Sequence, residues 1–193
     1  MDFVEGEILA FDKPYRWTSF DVVGKARWLL CHKLGVKKLK VGHSGTLDPL
    51  ATGVVVVCTG KKTKLIDQLQ AHQKEYVATL QLGATTPSFD LEKEIDATYP
   101  TEHITRALIE EVIPTFVGEQ WQVPPMFSAV KVDGKRAYKL ARKGEEVELK
   151  PKLLVIDEIE IRDFVRASMQ LTILVVCSKG TYIRALARDI GQR

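Results

Sequence analysis

Five consecutive apolar residues, VVVVC at positions 54–58, limit most strongly how this chain can fold. Branching at Cβ restricts χ1 and favours extended backbone, so the run predicts a β-strand. The run is apolar without interruption, and we therefore expect a strand that is buried on both faces. A long loop is predicted before it, over residues 36–53, and the second part of this loop, GHSGTLDPLATG at positions 42–53, is rich in glycine, threonine and proline.

This loop contains one carboxylate, Asp48, which is followed by Pro49. Glycines at positions 42, 45 and 53 allow backbone conformations that are closed to other residues, and they let another molecule approach closely. An aspartate that only caps a turn is the commoner interpretation of an isolated Asp-Pro pair. The amount of turn chemistry around a single acid instead indicates a carboxylate that is held at a surface notch.

Short strands and helices alternate along the rest of the chain. Apolar patterns predict further strands at residues 7–11, 75–82, 127–132, 153–162 and 170–177, the last two paired. They predict helices at residues 61–72, 104–113 and 136–143, and another from residue 179 onward. A further helix, capped by Thr18 or Ser19, has the apolar stripe Val22, Val23, Ala26, Leu29, Leu30 and Leu34. Hairpins mixed with helical crossovers predict an α+β fold, with a mixed, mainly antiparallel central sheet flanked by helices.

The basic residues are clustered, although the formal net charge is only +3. A first cluster brackets the loop and the strand after it: Lys33, Lys37, Lys38, Lys40, Lys61, Lys62 and Lys64. A second contains Lys131, Lys135, Arg136, Lys139, Arg142 and Lys143. Either cluster alone is best interpreted as a solvated face. Two clusters around one unusual loop favour a surface that follows a phosphate backbone.

Several classes of protein are excluded by composition. No apolar stretch approaches the length of a bilayer span, and the acidic N-terminal residues do not resemble a signal peptide. Three widely spaced cysteines, Cys31, Cys58 and Cys177, predict neither a disulfide framework nor a metal site. We therefore expect a cytoplasmic protein in a reducing compartment. The length of 193 residues suffices for one substantial core.

Five blocks of sequence, in order, resemble the motifs of the TruB class of pseudouridine synthases. The loop matches G-H-x-G-T-L-D-P-x-A-T-G-V-L at every fixed position except Val55, where the pattern has leucine. Two motif positions depart from the family elsewhere, since Arg16 replaces a glycine and Phe127 replaces the commoner tyrosine. The other blocks are Asp12-Lys13-Pro14 with Thr18-Ser19, Lys74-Glu75-Tyr76, residues 124–131 with Gly134 and Ala137-Tyr138, and residues 177–184 with Asp189 and Gly191.

The resemblance implies a pseudouridine-synthase-like fold and an enzyme that isomerises uridine 55 in the T loop of tRNA. In that reaction the N-glycosidic bond breaks, the base turns, and C5 joins C1′, without a redox agent, a metal or another cofactor. A target base that is stacked in the folded loop must first be flipped out. The partner implied is the T-arm stem-loop of tRNA. No membrane and no protein partner are implied, and we expect a monomer.

The resemblance also assigns roles to individual residues. Asp48 is the nucleophile, by attack at C1′, attack at C6 or initial removal of the C2′ proton. Arg184 pairs with Asp48 and keeps it ionised. The remaining substrate-binding assignments are Tyr76 stacked on the uracil, Tyr182 near the base, His43 near the space left by the flipped nucleotide, Asp90 near the substrate, and Lys13 and Lys64 on phosphates. Without the resemblance, Tyr76 would be interpreted as a core tyrosine and Tyr182 as ordinary helix packing.

Three other functions compete with this interpretation. A non-catalytic RNA-binding module needs lysines and aromatic residues but no buried Asp–Arg pair. A nucleoside hydrolase needs a second acid or a metal to activate water, and the loop supplies only Asp48. Guide-RNA-dependent relatives of the same family form the third alternative. Retention of Asp48, Tyr76, Tyr182 and Arg184 favours the enzyme.

The last predicted helix stops at Gly191-Gln192-Arg193. The family continues with a strand that bears an active-site leucine, and bacterial members usually add a PUA-type RNA-binding domain. We therefore expect residues 1–193 to be a catalytic domain that is incomplete at its C-terminus and has no PUA-type domain. In such a domain Leu186 and Ile190 would lack packing partners.

Overall fold

The computed structural model describes the whole chain except residues 129, 133, 142, 143 and 145–147. The chain divides into two compact units, Met1–His72 and Gln73–Arg193. Each unit has its own cluster of buried apolar side chains, where the length had predicted one core. No helix in the described part of the chain is long and apolar enough to cross a membrane.

The first unit is built on a three-stranded antiparallel sheet with the order β1–β3–β2. Its core contains Val22 and Val23 from the first helix and Val55 and Val57 from the central strand. In chain order its elements are β1 (Ile8–Lys13), α1 (Ser19–Leu34), β2 (Val41–His43), β3 (Gly53–Thr59), a 3₁₀ helix (Gly60–Leu65) and α2 (Ile66–Ala71).

Strand β3 forms where the apolar run predicted a strand. Val55 and Val57 are buried, and so is Cys58 on the opposite face near the end of the strand, whereas 67% of Val54 is exposed. The prediction of burial on both faces is therefore wrong at Val54. An antiparallel sheet can leave one face open to solvent, which an apolar run by itself does not reveal.

Helix α1 begins at a capping box. The Asp21 backbone N–H donates to Thr18 Oγ1 (3.1 Å), and the Thr18 N–H donates to Asp21 Oδ2 (2.8 Å). The helix ends at Gly35, which has a left-handed φ of 64°. Its fully buried residues all lie in its first half, and 49% of Leu29, in the predicted stripe, is exposed. Periodicity identified the face of the helix but not how many turns the sheet covers.

The second unit is built on a four-stranded antiparallel sheet with the order β4–β11–β10–β7. In chain order its elements are β4 (Lys74–Gln81), β5 (Ala84–Thr85), β6 (Ala97–Thr98), α3 (Arg106–Val112), a 3₁₀ helix (Ile113–Phe116), β7 (Gly118–Gln122), β8 (Lys131–Val132), β9 (Lys135–Arg136), α4 (Ala137–Ala141), β10 (Lys152–Val165), β11 (Gln170–Cys177) and α5 (Ile183–Gly191).

The packing of α5 corrects one expectation. Leu186 and Ile190 are both buried in the core of the second unit, together with side chains of β10 and β11 such as Ile156 and Ile173. The prediction that they would lack packing partners is therefore wrong. The sheet face of the same unit supplies the apolar contacts that the end of the chain was expected to miss.

Other differences concern the boundaries of elements. The helix predicted at residues 61–72 is a 3₁₀ helix followed by the short α2, and the strand predicted at 127–132 is reduced to β8. The loop predicted at residues 36–53 contains the short strand β2, which forms because it pairs with β3. The helix predicted at 136–143 is observed as α4, and positions 142 and 143 lie outside the described residues. The predicted α+β class with a mainly antiparallel sheet is confirmed. Every strand pairing among the described residues is antiparallel, so no parallel pair of the expected mixed sheet is present there.

The capping box of α1 generates a stability prediction. Replacing Thr18 by alanine removes the side-chain acceptor of the Asp21 N–H, and we expect the free energy of unfolding to fall by about 1 kcal/mol. Urea denaturation followed by circular dichroism measures this change. Thr98→Ala, at an exposed position outside any helix cap, is the control and should change stability by less than about 0.5 kcal/mol. Equal effects of the two substitutions would contradict a specific capping role.

Candidate active site

The turn that carries Asp48 is held on one side by the start of α1 and on the other by the loop that precedes this helix. On one side the Leu47 N–H donates to Ser19 Oγ (2.9 Å), and the Ser19 hydroxyl donates to the Leu47 carbonyl (3.3 Å). On the other side the Pro49 carbonyl accepts from the Arg16 N–H (2.8 Å). Ser19 is buried, so these bonds are shielded from competing water. Asp48 itself is half-buried, at a point where both of its neighbours are anchored.

Lys13 lies beneath this turn with no exposed surface. Its ammonium group donates to three carbonyl oxygens, those of Trp17 (2.6 Å), Pro14 (3.1 Å) and Pro49 (3.3 Å). An ammonium has three N–H donors, so all of them are used. The contact with phosphate that was predicted for Lys13 requires an exposed amine, and the structure instead uses this lysine to join two loops.

The charge of Lys13 also acts on Asp48. Burial lowers the pKa of Lys13, and the carboxylates of Asp48 and Asp21 partly offset that effect by favouring the charged amine. A buried cation that is fixed by three carbonyls therefore holds the turn in place and supplies positive charge beside the acid.

Arg16 adopts a left-handed backbone conformation with φ of 67°. The resemblance places a glycine here, and we expected that arginine would not freely adopt positive φ. The observed φ shows that arginine keeps the conformation that glycine favours, at a cost in strain. The hydrogen bond from its N–H to Pro49 is one contact that this conformation provides.

The loop glycines differ in what they provide. Only Gly53 has positive φ (120°), whereas a Cβ on Gly42 would lie 2.8 Å from Ile66 Cδ1. A side chain at Gly42 would make the end of Ile66 shift, whereas Gly53 provides a backbone conformation that other residues rarely adopt. His43 lies on β2, half-buried, with Nδ1 2.7 Å from the Gly45 carbonyl. A carbonyl only accepts, so Nδ1 carries the proton and Nε2 is directed elsewhere.

In the second unit, Arg184 of α5 lies at the centre of a polar cluster. Its guanidinium donates to the carbonyls of Ser88 (3.0 Å) and Phe127 (3.1 Å), and its Nε lies 3.6 Å from Asp90 Oδ2. Asp90 also accepts from the Ser88 hydroxyl (2.6 Å) and the Glu92 N–H (3.0 Å). The segment that contains Asp90 and the fully buried Ser88 therefore closes around this arginine.

Gln122 is a positioning residue that the sequence did not reveal. Its buried amide accepts from the Tyr182 N–H (2.9 Å) and donates to the Tyr182 carbonyl (3.2 Å). The end of β7 is thereby joined to the start of α5, which fixes the backbone of Tyr182. Tyr76 on β4 is half-buried and packs against the core of the second unit. A glutamine at the end of a short strand belongs to no sequence pattern that would predict these two hydrogen bonds.

The predicted site residues thus fall into two groups. The first unit holds Lys13, His43, Asp48 and Lys64, and the second holds Tyr76, Asp90, Tyr182 and Arg184. The ion pair predicted between Asp48 and Arg184 involves both units and stays a prediction. The first group presents a carboxylate beside a buried cation. The second presents an arginine, a second carboxylate and two phenols.

The basic clusters are partly neutralised. Lys61 is paired with Glu5 (2.8 Å) and Lys62 with Glu7 (3.8 Å). Lys64 is exposed, and so are the lysines that precede the loop, Lys33, Lys37, Lys38 and Lys40. In the second cluster Lys135 is exposed, whereas Arg142 and Lys143 lie outside the described residues.

Neither a disulfide nor a metal site is found in the part of the chain that the structure describes. Cys31, Cys58 and Cys177 are free, and burial raises the pKa of the last two thiols. No group of three histidine, cysteine or acidic side chains among the described residues is placed to hold a metal ion. The chemistry that these residues offer is that of a held carboxylate, cations and aromatic rings.

The sequence of this chain matches that of an enzyme family. The family described as TruB family pseudouridylate synthase (N terminal domain) matches residues 32–183. A protein named tRNA pseudouridine synthase B from Phocaeicola vulgatus is 70% identical over 192 residues, which cover all of this chain and 81% of that protein. One of the same name from Flavobacterium johnsoniae is 53% identical, covering 99% of this chain and 83% of that protein.

Chains in solved structures have a similar fold. A Cbf5-Nop10-Gar1 complex contains a chain with a TM-score of 0.69 and 27% identity, matched over 98% of this chain and 44% of that one. An H/ACA RNP bound to a substrate RNA containing 2′-deoxyuridine gives a TM-score of 0.64 at 25% identity, over 98% and 43% of the two chains.

The three bonds of Lys13 generate a second stability prediction. Lys13→Met keeps the length of the side chain but leaves three carbonyls without their donor, and we expect a loss of about 3 kcal/mol in the free energy of unfolding. Lys64→Met, at an exposed position, should change stability by less than about 0.5 kcal/mol. Urea denaturation of both variants makes the comparison. Similar stabilities would show that the buried amine does not hold the turn.

Proposed function

This chain belongs to the TruB family of pseudouridylate synthases, and we propose that it converts uridine 55 in the T loop of tRNA to pseudouridine. Two sets of observations support the tRNA substrate. Relatives with 70% identity over the whole chain are named tRNA pseudouridine synthase B, and exposed lysines precede the loop that holds the candidate nucleophile. The proposed enzyme is a cytoplasmic monomer that needs no cofactor and no protein partner.

The observation that carries this proposal is the clamp around Asp48. A nucleophilic or basic carboxylate must stay ionised and keep its direction while the base is detached and turned. Hydrogen bonds at both Leu47 and Pro49 fix the turn, and the ammonium of the buried Lys13 donates to the Pro49 carbonyl next to the acid. A structural turn aspartate does not require a buried lysine with three carbonyl partners below it.

The reaction is an isomerisation, so its atoms balance within the nucleotide. The bond from C1′ to N1 breaks, the bond from C1′ to C5 forms, C5 loses a proton, and N1 gains one. We propose that Asp48 is the nucleophile and that Tyr182, whose backbone Gln122 holds, lies near the base where the C5 proton leaves. Tyr76 is proposed to stack on the uracil.

Arg184 is proposed to pair with Asp48 and to keep it ionised. Its bonds to the Ser88 and Phe127 carbonyls and its pairing with Asp90 support a fixed direction for the guanidinium. His43 is proposed to approach the space left by the flipped nucleotide, and Lys64 to contact a phosphate. A module that only binds RNA has no use for an arginine that is fixed in this way.

The nucleophile assignment predicts a loss of turnover without a loss of binding. Asp48→Asn keeps the size of the side chain but removes the charge, and we expect pseudouridine formation on a T-arm stem-loop to fall more than about a thousandfold. Affinity for the same RNA should change less than about threefold, since the phosphate contacts remain. Mass spectrometry of digested RNA measures the product. Product formation at the wild-type rate by the asparagine variant would refute the assignment.

The exposed lysines predict an affinity that depends steeply on salt. If about four lysines contact phosphates, the logarithm of the association constant should fall with the logarithm of salt concentration with a slope of about −3. The triple variant Lys37→Gln, Lys38→Gln, Lys40→Gln should reduce this slope by about 2. The matched control is Glu5→Gln with Lys61→Gln, which removes an existing ion pair at constant net charge and should leave the slope unchanged. A slope near zero for the wild type would mean that the lysines only interact with solvent.

A further inference from the structure

The N-terminal end of α1 forms one side of an open groove that the proposed reaction does not use. Its volume is about 660 Å³, and it is lined by Arg16, Trp17, Phe20, Asp21, Gly24 and Lys25. Large apolar side chains are exposed in it, since Trp17 and Phe20 expose 37% and 64% of their surfaces. Exposed aromatic residues that meet in one groove indicate a binding surface.

The aromatic residues of this region are accompanied by cations. The Arg16 guanidinium lies over the ring of Tyr15 (5.5 Å), and the Lys25 amine lies over the ring of Trp28 (5.1 Å). Phe20, Gly24 and Trp28 follow one another at intervals of four residues, so they share one face of the helix. Asp21 adds one negative charge, and its carboxylate accepts hydrogen bonds from the N–H and the hydroxyl of Thr18 in the capping box.

The groove adjoins the turn that holds Asp48. Arg16, which lines it, donates its N–H to Pro49, the residue after the acid. The Trp17 carbonyl accepts a hydrogen bond from the Lys13 ammonium, which also donates to the Pro49 carbonyl. A ligand in the groove would therefore touch residues that are hydrogen-bonded to the turn of the candidate nucleophile, either directly or through Lys13.

We propose that this groove binds an unstacked nucleotide of the substrate RNA, close to the target uridine. This proposal rests on the proposed function. An unpaired base presents a π-face to Trp17 or Phe20, while Arg16 and Lys25 supply the positive charge that its phosphate requires. A duplex hides its base faces by stacking, so the aromatic residues select single-stranded loop nucleotides. Two of the six lining residues are cations and only one is an acid, a charge balance that suits a phosphodiester.

Gly24 allows the groove to be filled without damage to the fold. A Cβ at this position would meet no atom within 4 Å, and the residue does not have positive φ. Leucine has a higher helix propensity than glycine, so Gly24→Leu should not lower the melting temperature. Its side chain would occupy the space where the base stacks. Phe20→Ala removes the stacking surface instead, at an exposed position.

The experiment measures binding of a T-arm stem-loop by fluorescence anisotropy for the wild type, Gly24→Leu and Phe20→Ala. Base stacking on an aromatic side chain predicts about tenfold weaker binding for each variant. The control is Leu29→Ala, which removes an exposed apolar side chain of the same helix, nine residues or half a turn of the wheel away from Phe20. Its affinity should equal that of the wild type.

A second measurement identifies the site directly. Stem-loops that carry 4-thiouridine at single loop positions are irradiated with the full chain, and the cross-linked peptide is identified by mass spectrometry. Cross-links at residues 15–28 that Gly24→Leu abolishes would support the proposal. Wild-type affinity in both groove variants, or cross-links only elsewhere, would overturn it. Because both readouts report binding, failure of the wild type to form pseudouridine would refute the proposed function separately.

Discussion

The buried ammonium of Lys13 is the interaction on which the candidate site of the first unit depends. It joins the Trp17 and Pro14 carbonyls of one loop to the Pro49 carbonyl of another. Burying an amine is costly, and this cost is offset only because all three donors find acceptors and because Asp48 is near. A residue that the resemblance suggested as a surface contact with RNA instead supports the turn that carries Asp48, the proposed nucleophile.

In the second unit, too, single side chains hold whole segments in place. Gln122 makes two bonds to the backbone of Tyr182, and Arg184 connects the Ser88 loop to the Phe127 segment. A phenol and a guanidinium can act on a reacting base only if their backbones are held, because misplacement of about 1 Å costs much of the rate. The groove beside α1 is proposed to hold a neighbour of the reacting nucleotide.

Local chemistry was well predicted from sequence, and its limits have physical reasons. The cap of α1, predicted at Thr18 or Ser19 and found at Thr18, and the predicted pairing of β10 with β11 depend on nearby residues or on strong β-branched patterns, and both were confirmed. Val54 was misjudged because a run of valines does not show which face of a sheet is covered. Leu186 was misjudged because its packing partners come from strands that lie distant in the chain.

The sequence by itself determined the family, the α+β class and the turn that presents Asp48, because motif spacing, turn residues and apolar periodicity are local properties. Tertiary structure alone decided that Lys13 is buried, that Gln122 holds Tyr182, and that Asp90 turns back onto Arg184. Each of these contacts joins residues far apart in the chain or depends on which surface the fold covers. No local pattern records such contacts, since their free energy comes from desolvation and from bonds that exist only after the chain has packed.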